Sequence, residues 1–160
     1  MKTVLRWQKG LLDSTYKIYA GDILVGFLDI RSFSSRTEAA LNGKKYDFIA
    51  SGIFKKTVTI IDKENHAVIG SITYNTWTTK ATINFSGKSF TWKATNFTGS
   101  KWRVIGTDDF LEVQNGFSRG IINFDEQDPL VPLTGLYAFN YYVQVIFVIL
   151  LTLFVIFVMK

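Results

Sequence analysis

The sequence predicts a mainly β protein: a closed antiparallel β-barrel of about twelve strands enclosing a hydrophobic C-terminal α-helix. Three observations lead there. Short runs of β-branched and aromatic residues recur from Thr3 to Phe124, broken by Gly, Asn, Asp and Ser, which is how strands joined by tight turns are written. Apolar and polar residues alternate within the runs, as in Phe90, Trp92 and Ala94 against Thr91 and Lys93, the mark of strands buried on one face. The last stretch, Val143 to Met159, is almost unbroken hydrocarbon.

Thr3 to Trp7 opens the series. Thr15 to Ala20 and Ile23 to Ile30 flank Gly21-Asp22; Arg36 to Leu41 and Lys44 to Ala50 flank Asn42-Gly43, a strong hairpin signal because both residues tolerate positive φ. Lys55 to Ile61 and Ala67 to Tyr74 are joined by the polar run 62–66, and Lys80 to Phe85 and Ser89 to Thr95 by Ser86-Gly87-Lys88. Lys101 to Thr107, Phe110 to Gln114 and Arg119 to Phe124 complete the set. Tight turns imply that successive strands pair antiparallel, and a sheet this wide tends to curl and close.

Residues 125–134 contain both prolines and are expected to interrupt regular structure, since each proline disfavours helix in its predecessor. Thr134 is the expected N-cap of a helix over 135–159, roughly 36 Å long at 1.5 Å per residue. The whole chain, 1–160, then forms one domain, a size that suits a single core.

A helix apolar all round suits either a bilayer or a protein interior. Tyr141 and Tyr142 on one side and Lys160 on the other suit a tail anchor, with 143–159 spanning and a β-rich cytoplasmic head. A barrel of about twelve strands, however, is too wide to be filled by its own inward side chains, and a helix about 10 to 12 Å across fills it. The interior is therefore the favoured place for the helix, with Asn140, Gln144 and Thr152 finding partners on the strands. An outer-membrane barrel is disfavoured, because its strands need about 9 to 11 residues and the N-terminal region, interrupted by Lys2, Arg6 and Lys9, has no secretory apolar stretch.

The order of elements, with Leu136 to Met159 as its most telling part and Ile61-Asp62-Lys63-Glu64-Asn65 to Ser71 as a typical strand-turn-strand, resembles the tubby-like superfamily. That group includes the tubby C-terminal domain, the LURP-one-related proteins and the phospholipid scramblases. The resemblance implies a barrel wrapped around its C-terminal helix; it also implies phosphoinositide binding, as in tubby proteins, or lipid scrambling, as in scramblases. The cysteine-rich and proline-rich segments of scramblases are missing here.

Net charge is +5, with 17 Lys and Arg against 10 acids up to Phe124, a balance that favours anionic surfaces. Lys44, Lys45, Lys55, Lys56 and Arg103 are the candidate contacts to anionic phospholipid headgroups, should one barrel face gather them. Strand-exterior lysines that keep a sheet soluble are the plainer reading of these residues. Trp77, Trp92 and Trp102 could stack on bases, but core packing explains them more simply. With no cysteine and one histidine, His66, in a polar turn, thiolate chemistry is excluded and a metal site is not expected. Asp108-Asp109 with Glu112 and Asp125-Glu126 with Asp128 read as turn and helix-start acids rather than catalytic or Ca²⁺ groups. Substitution of Asp108 or Asp109 would matter only in a hydrolytic barrel with a pocket beside the helix. Asn84 and Asn96 match the glycosylation acceptor pattern by chance if the chain is not secreted. The expectation is a non-enzymatic, cytoplasmic, monomeric binding or scaffolding domain without cofactor or nucleic-acid partner.

Overall fold

A computed structural model describes residues 2–31, 33–52, 56–75, 79–97, 99–106, 110–116, 118–124 and 128–160. Twelve strands follow one another: β1 (Thr3–Gln8), β2 (Thr15–Ala20), β3 (Ile23–Asp29), β4 (Arg36–Leu41), β5 (Lys44–Ser51), β6 (Thr57–Asp62), β7 (Val68–Asn75), β8 (Lys80–Phe85), β9 (Lys88–Ala94), β10 (Lys101–Ile105), β11 (Phe110–Asn115) and β12 (Arg119–Phe124). Each pairs antiparallel with its sequence neighbours, and β1 closes on β12 through Thr3 opposite Phe124 and Gln8 opposite Arg119. Closure leaves no strand edge unpaired, so the wall offers no template for another chain's strand.

Local chemistry explains the path. Asn42 and Gly43 both have positive φ, as do Ser86 and Gly87, the geometry that matches a two-residue hairpin to the twist of its strands. Gly26 and Gly70 lie across from register shifts in β2 and β6. A Cβ on either would sit 2.3 or 2.5 Å from a neighbouring carbonyl oxygen, so the wall can bend there only without a side chain. Inward positions alternate along most strands, for example Trp102 and Val104 on β10 and Leu111 and Val113 on β11, whereas β4 and β5 bury consecutive residues at Ala39–Leu41 and Tyr46–Phe48. Outward ones such as Thr91, Lys93, Arg103 and Glu112 are exposed, which makes the wall a water-facing surface rather than a lipid-facing one.

One helix, α1 (Leu130–Val158), follows β12. It starts five residues earlier than the turn chemistry predicts, at Leu130 rather than 135, and the prolines are the reason. Pro129 is the N-cap and Pro132 lies in the first turn, where backbone N–H groups have no helical partner and a missing donor costs nothing. Asp128 accepts the Leu130 N–H on its side chain at 3.0 Å. Thr134 is not a cap: its hydroxyl donates back to the Leu130 and Val131 carbonyls, at 2.6 and 3.1 Å, and so is satisfied inside the barrel.

The barrel encloses only the first part of α1. Leu130 to Phe139, and Tyr142, are buried, whereas from Phe147 onward every residue is exposed. The expectation of a helix buried over 135–159 is corrected accordingly, and the cause is length. Six-residue strands reach about 20 Å, less when tilted; a helix of 29 residues runs about 44 Å. The rod is roughly twice the depth of its sheath.

Inside, α1 meets a ring of aromatic side chains. Phe48 packs edge-on to Tyr137 at 5.1 Å, and Trp102 stacks on Phe139 at 6.0 Å. Close approach depends on Gly135, where a Cβ would lie 2.6 Å from Trp102 Cζ3 and 3.3 Å from a Val104 methyl. The Trp102 ring is wholly buried and cannot swing away. Gly135→Val is therefore expected to destabilise the barrel by on the order of 3 kcal/mol through overpacking, read as a lower denaturation midpoint.

Candidate functional site

The strand directions sort the connections into two sets. α1 enters where β12 ends, so that end of the barrel holds the 21–22, 42–43, 63–67 and 86–87 turns. The helix leaves at the other end, among the connections that follow β1, β3, β5, β7, β9 and β11. The exit is where the unusual surface chemistry collects.

Around the emerging helix, side chains from four strands and one loop grip α1. Tyr16 of β2 donates to Asn140 Oδ1 at 2.9 Å, and burial raises its phenol pKa well above the usual value. Tyr74 of β7 stacks on Tyr141 with centroids 3.8 Å apart; Trp7 of β1 lies 6.0 Å from Phe139, and Trp92 of β9 lies 5.6 Å from Tyr142. Tyr142 donates to the Phe97 carbonyl at 3.2 Å. Of the three polar helix residues expected to find strand partners, Asn140 alone does so. Gln144 is exposed beside the exit, and Thr152 donates to the Val148 carbonyl of its own helix at 2.8 Å.

Two clefts flank the exit. One, of about 80 Å³, lies between Tyr74, Lys80, Trp92, Tyr142, Ile146 and Ile149; the other, of about 190 Å³, lies between Arg31, Phe33, Thr37, Tyr137, Asn140 and Gln144. In the first, the Tyr74 hydroxyl and the Trp92 indole N–H have no hydrogen-bond partner among the described residues. The first cleft is apolar on the helix side, at Ala138, Val145, Ile146 and Ile149, and carries Asn75, Thr79 and Lys80 on the rim side, the composition of a wet–dry boundary; the second has Asn140 and Gln144 on its helix side.

The rim loops are held by carboxylates. Asp29 Oδ1 accepts from Ser14 at 2.6 Å and Thr15 at 3.1 Å, and its Oδ2 accepts from Arg31 at 2.8 Å. Those hydroxyl and guanidinium donors hold its pKa below the ordinary carboxylate value. The clasp ties loop 9–14 to loop 30–35. At their tips Leu11 is 83% exposed, Leu12 104% and Phe33 103%, and on loop 95–100 Phe97 is 79% exposed. Folding gives these four side chains no cover at all.

Sequence-chosen cations are not gathered on one face. Lys44 and Lys45 begin β5 at the entry end; Arg103 lies on β10, five strands away around the wall, paired with Glu112 at 4.0 Å. Lys56 lies at the exit end, half-buried just before β6. Lys55 lies outside the described residues, as do Trp77, Asp108, Asp109, Asp125 and Glu126. Trp92 and Trp102 are core residues. His66 is in the 63–67 turn at the entry end, and no group of three metal-ligating side chains is found among the described residues. Sequence reasoning passed over Leu11, Leu12, Phe33 and Phe97. Their signal was parity: every second connection carries large apolar residues, while the intervening turns are polar. Comparison of the chain with family models, curated proteins and solved structures finds no match.

Proposed function

We propose that this protein is a tail-anchored membrane protein in which residues 143–159 enter the bilayer and the barrel is a non-enzymatic binding or scaffolding head. One observation carries the reading: α1 continues out of the barrel with only 6% of its most apolar 18-residue stretch buried. Water cannot tolerate such a surface on a monomer. At roughly −0.3 to −0.6 kcal/mol for each Leu, Ile, Phe or Val, insertion of the projecting part yields on the order of 4 to 8 kcal/mol. Thr152 fits lipid because its hydroxyl is already satisfied within the helix.

The barrel at the base of the helix fits the cytoplasmic side, since cations crowd the helix exit. A barrel threaded by its last helix is also what the tubby-like resemblance implies, but the anchor is inferred from exposure and length. The full chain is expected to stay with membranes after alkaline carbonate washing and to need detergent for release. Release by carbonate, or a monodisperse detergent-free assembly that covers 143–159, would refute the anchor.

A further inference from the structure

The projecting part of α1, Val143 to Val158, is about 24 Å long, short of the ~30 Å hydrocarbon thickness of a typical bilayer. No linker separates it from the barrel: the helix is continuous from Leu130. If the helix is anchored, the barrel rim is drawn to the level of the lipid headgroups. What the rim presents there is apolar tips set among cations.

Leu11, Leu12, Phe33 and Phe97 stand exposed on three different loops of the exit end. Around the tips, strand ends and loops carry Lys9, Arg31, Arg36, Lys56, Lys80, Lys101 and Arg119 against Asp13, Asp29, which pairs with Arg31, and Asp47, which pairs with Arg36. The entry end is close to balance among the described residues, with Lys2, Lys44, Lys45, Lys63 and Lys88 against Asp22, Asp62, Glu64 and Asp128. Its turns have no large apolar residue, although Val4, Ile23, Leu24, Val68 and Ile105 are exposed on the adjoining strands. Excess positive charge and apolar loop tips thus coincide at the end the anchor brings to the membrane.

We propose that the exit rim is a lipid-docking surface: Leu11, Leu12, Phe33 and Phe97 enter the interfacial layer of the leaflet that receives α1, and the surrounding lysines and arginines pair with anionic phospholipid headgroups. The barrel then stands end-on upon the bilayer, its entry end farthest from it. The occupant is the lipid surface rather than a protein, because the tips share the helix's exit end and opposite charges lie in the headgroup layer that the anchor brings to that end. This rests on the anchor reading.

The chain has no cysteine, so single reporters can be placed in the full-length protein. Leu12→Cys, Phe33→Cys, Phe97→Cys, Ser86→Cys at the entry end and Leu151→Cys in the projecting helix would each carry an environment-sensitive fluorophore. They would be reconstituted into phosphatidylcholine vesicles with and without phosphatidylserine, containing lipids quenched at the headgroup or deep in the acyl chain. Expected is loss of emission from Leu151→Cys with the deep quencher and from the three rim positions with the shallow one, stronger with phosphatidylserine, and none from Ser86→Cys. Deep quenching at Leu151 with rim positions as unquenched as Ser86 overturns the docking surface alone. No quenching at Leu151 overturns the anchor and the docking surface with it. Rim reporters that are shielded from water yet unquenched by lipid would assign the rim to a second copy or another protein, and quenching indifferent to phosphatidylserine would remove the anionic headgroup.

Discussion

A chain ending at Tyr142 is expected to fold and to leave the membrane, whereas one ending at Pro129 is expected not to fold at all. The first cut removes the projecting residues together with half-buried Val145 and Ile146, of which Ile146 packs against the core, and keeps every buried residue of α1 from Leu130 to Tyr142. The second removes Leu130, Val131, Leu133, Leu136, Tyr137, Phe139 and Tyr142 together. Each such side chain contributes about 1.5 to 3 kcal/mol by burial, and the sum, on the order of 10 to 20 kcal/mol, is as large as the roughly 5 to 15 kcal/mol by which a whole domain is stable. The empty lumen would also expose the rings of Trp7, Trp92 and Trp102 to water. Circular dichroism with a cooperative melt, together with fractionation, separates the cases. A folded barrel without residues 130–160 would show that the helix is a guest in the core rather than part of it, and aggregation of the chain ending at Tyr142 would show that the projecting part has a structural task.

The second large effect concerns charge in the projecting helix. Leu150→Arg with Leu153→Arg is expected to abolish insertion, because each arginine near the middle of a span costs about 2.5 to 3.5 kcal/mol, together comparable to the whole gain from insertion. Val148→Arg with Leu151→Arg should do the same, although that pair points to the opposite side of the helix at 3.6 residues per turn. Indifference to side is what a surrounding solvent of lipid predicts; a protein partner seated on one face would be lost through one pair and retained through the other. The barrel's thermal midpoint should be unchanged in both variants, since none of the four positions touches the lumen.

Much of this molecule was legible beforehand, and the part that was not has a physical reason. Strands β2, β4, β8 and β12 fall on their predicted residues because a period of two is punctuated by turn residues that cannot continue a strand. The helix start was misread because a proline that ends a helix elsewhere is harmless in the first turn. The depth of burial was invisible to composition, since Val145 and Leu133 look alike in sequence although one lies outside the lumen and the other is sealed within it. Only comparing strand length with helix length separates them. For the rim, adjacent lysines such as Lys44-Lys45 drew attention that belonged to Leu12 and Phe33, which are neighbours only after alternate connections are folded to the same end.

No glycine or proline interrupts α1 between Leu136 and Val158, and backbone hydrogen bonding persists to the Met159 N–H. A helix without a hinge is a stiff shaft. Its lower half is keyed to the wall by rings on several strands, so if the projecting part is anchored in a bilayer, leaflet bending or lateral tension would reach the barrel as torque on Tyr16, Tyr74 and Trp92, and pulling the shaft axially would drag the core's own residues out of register with their sockets.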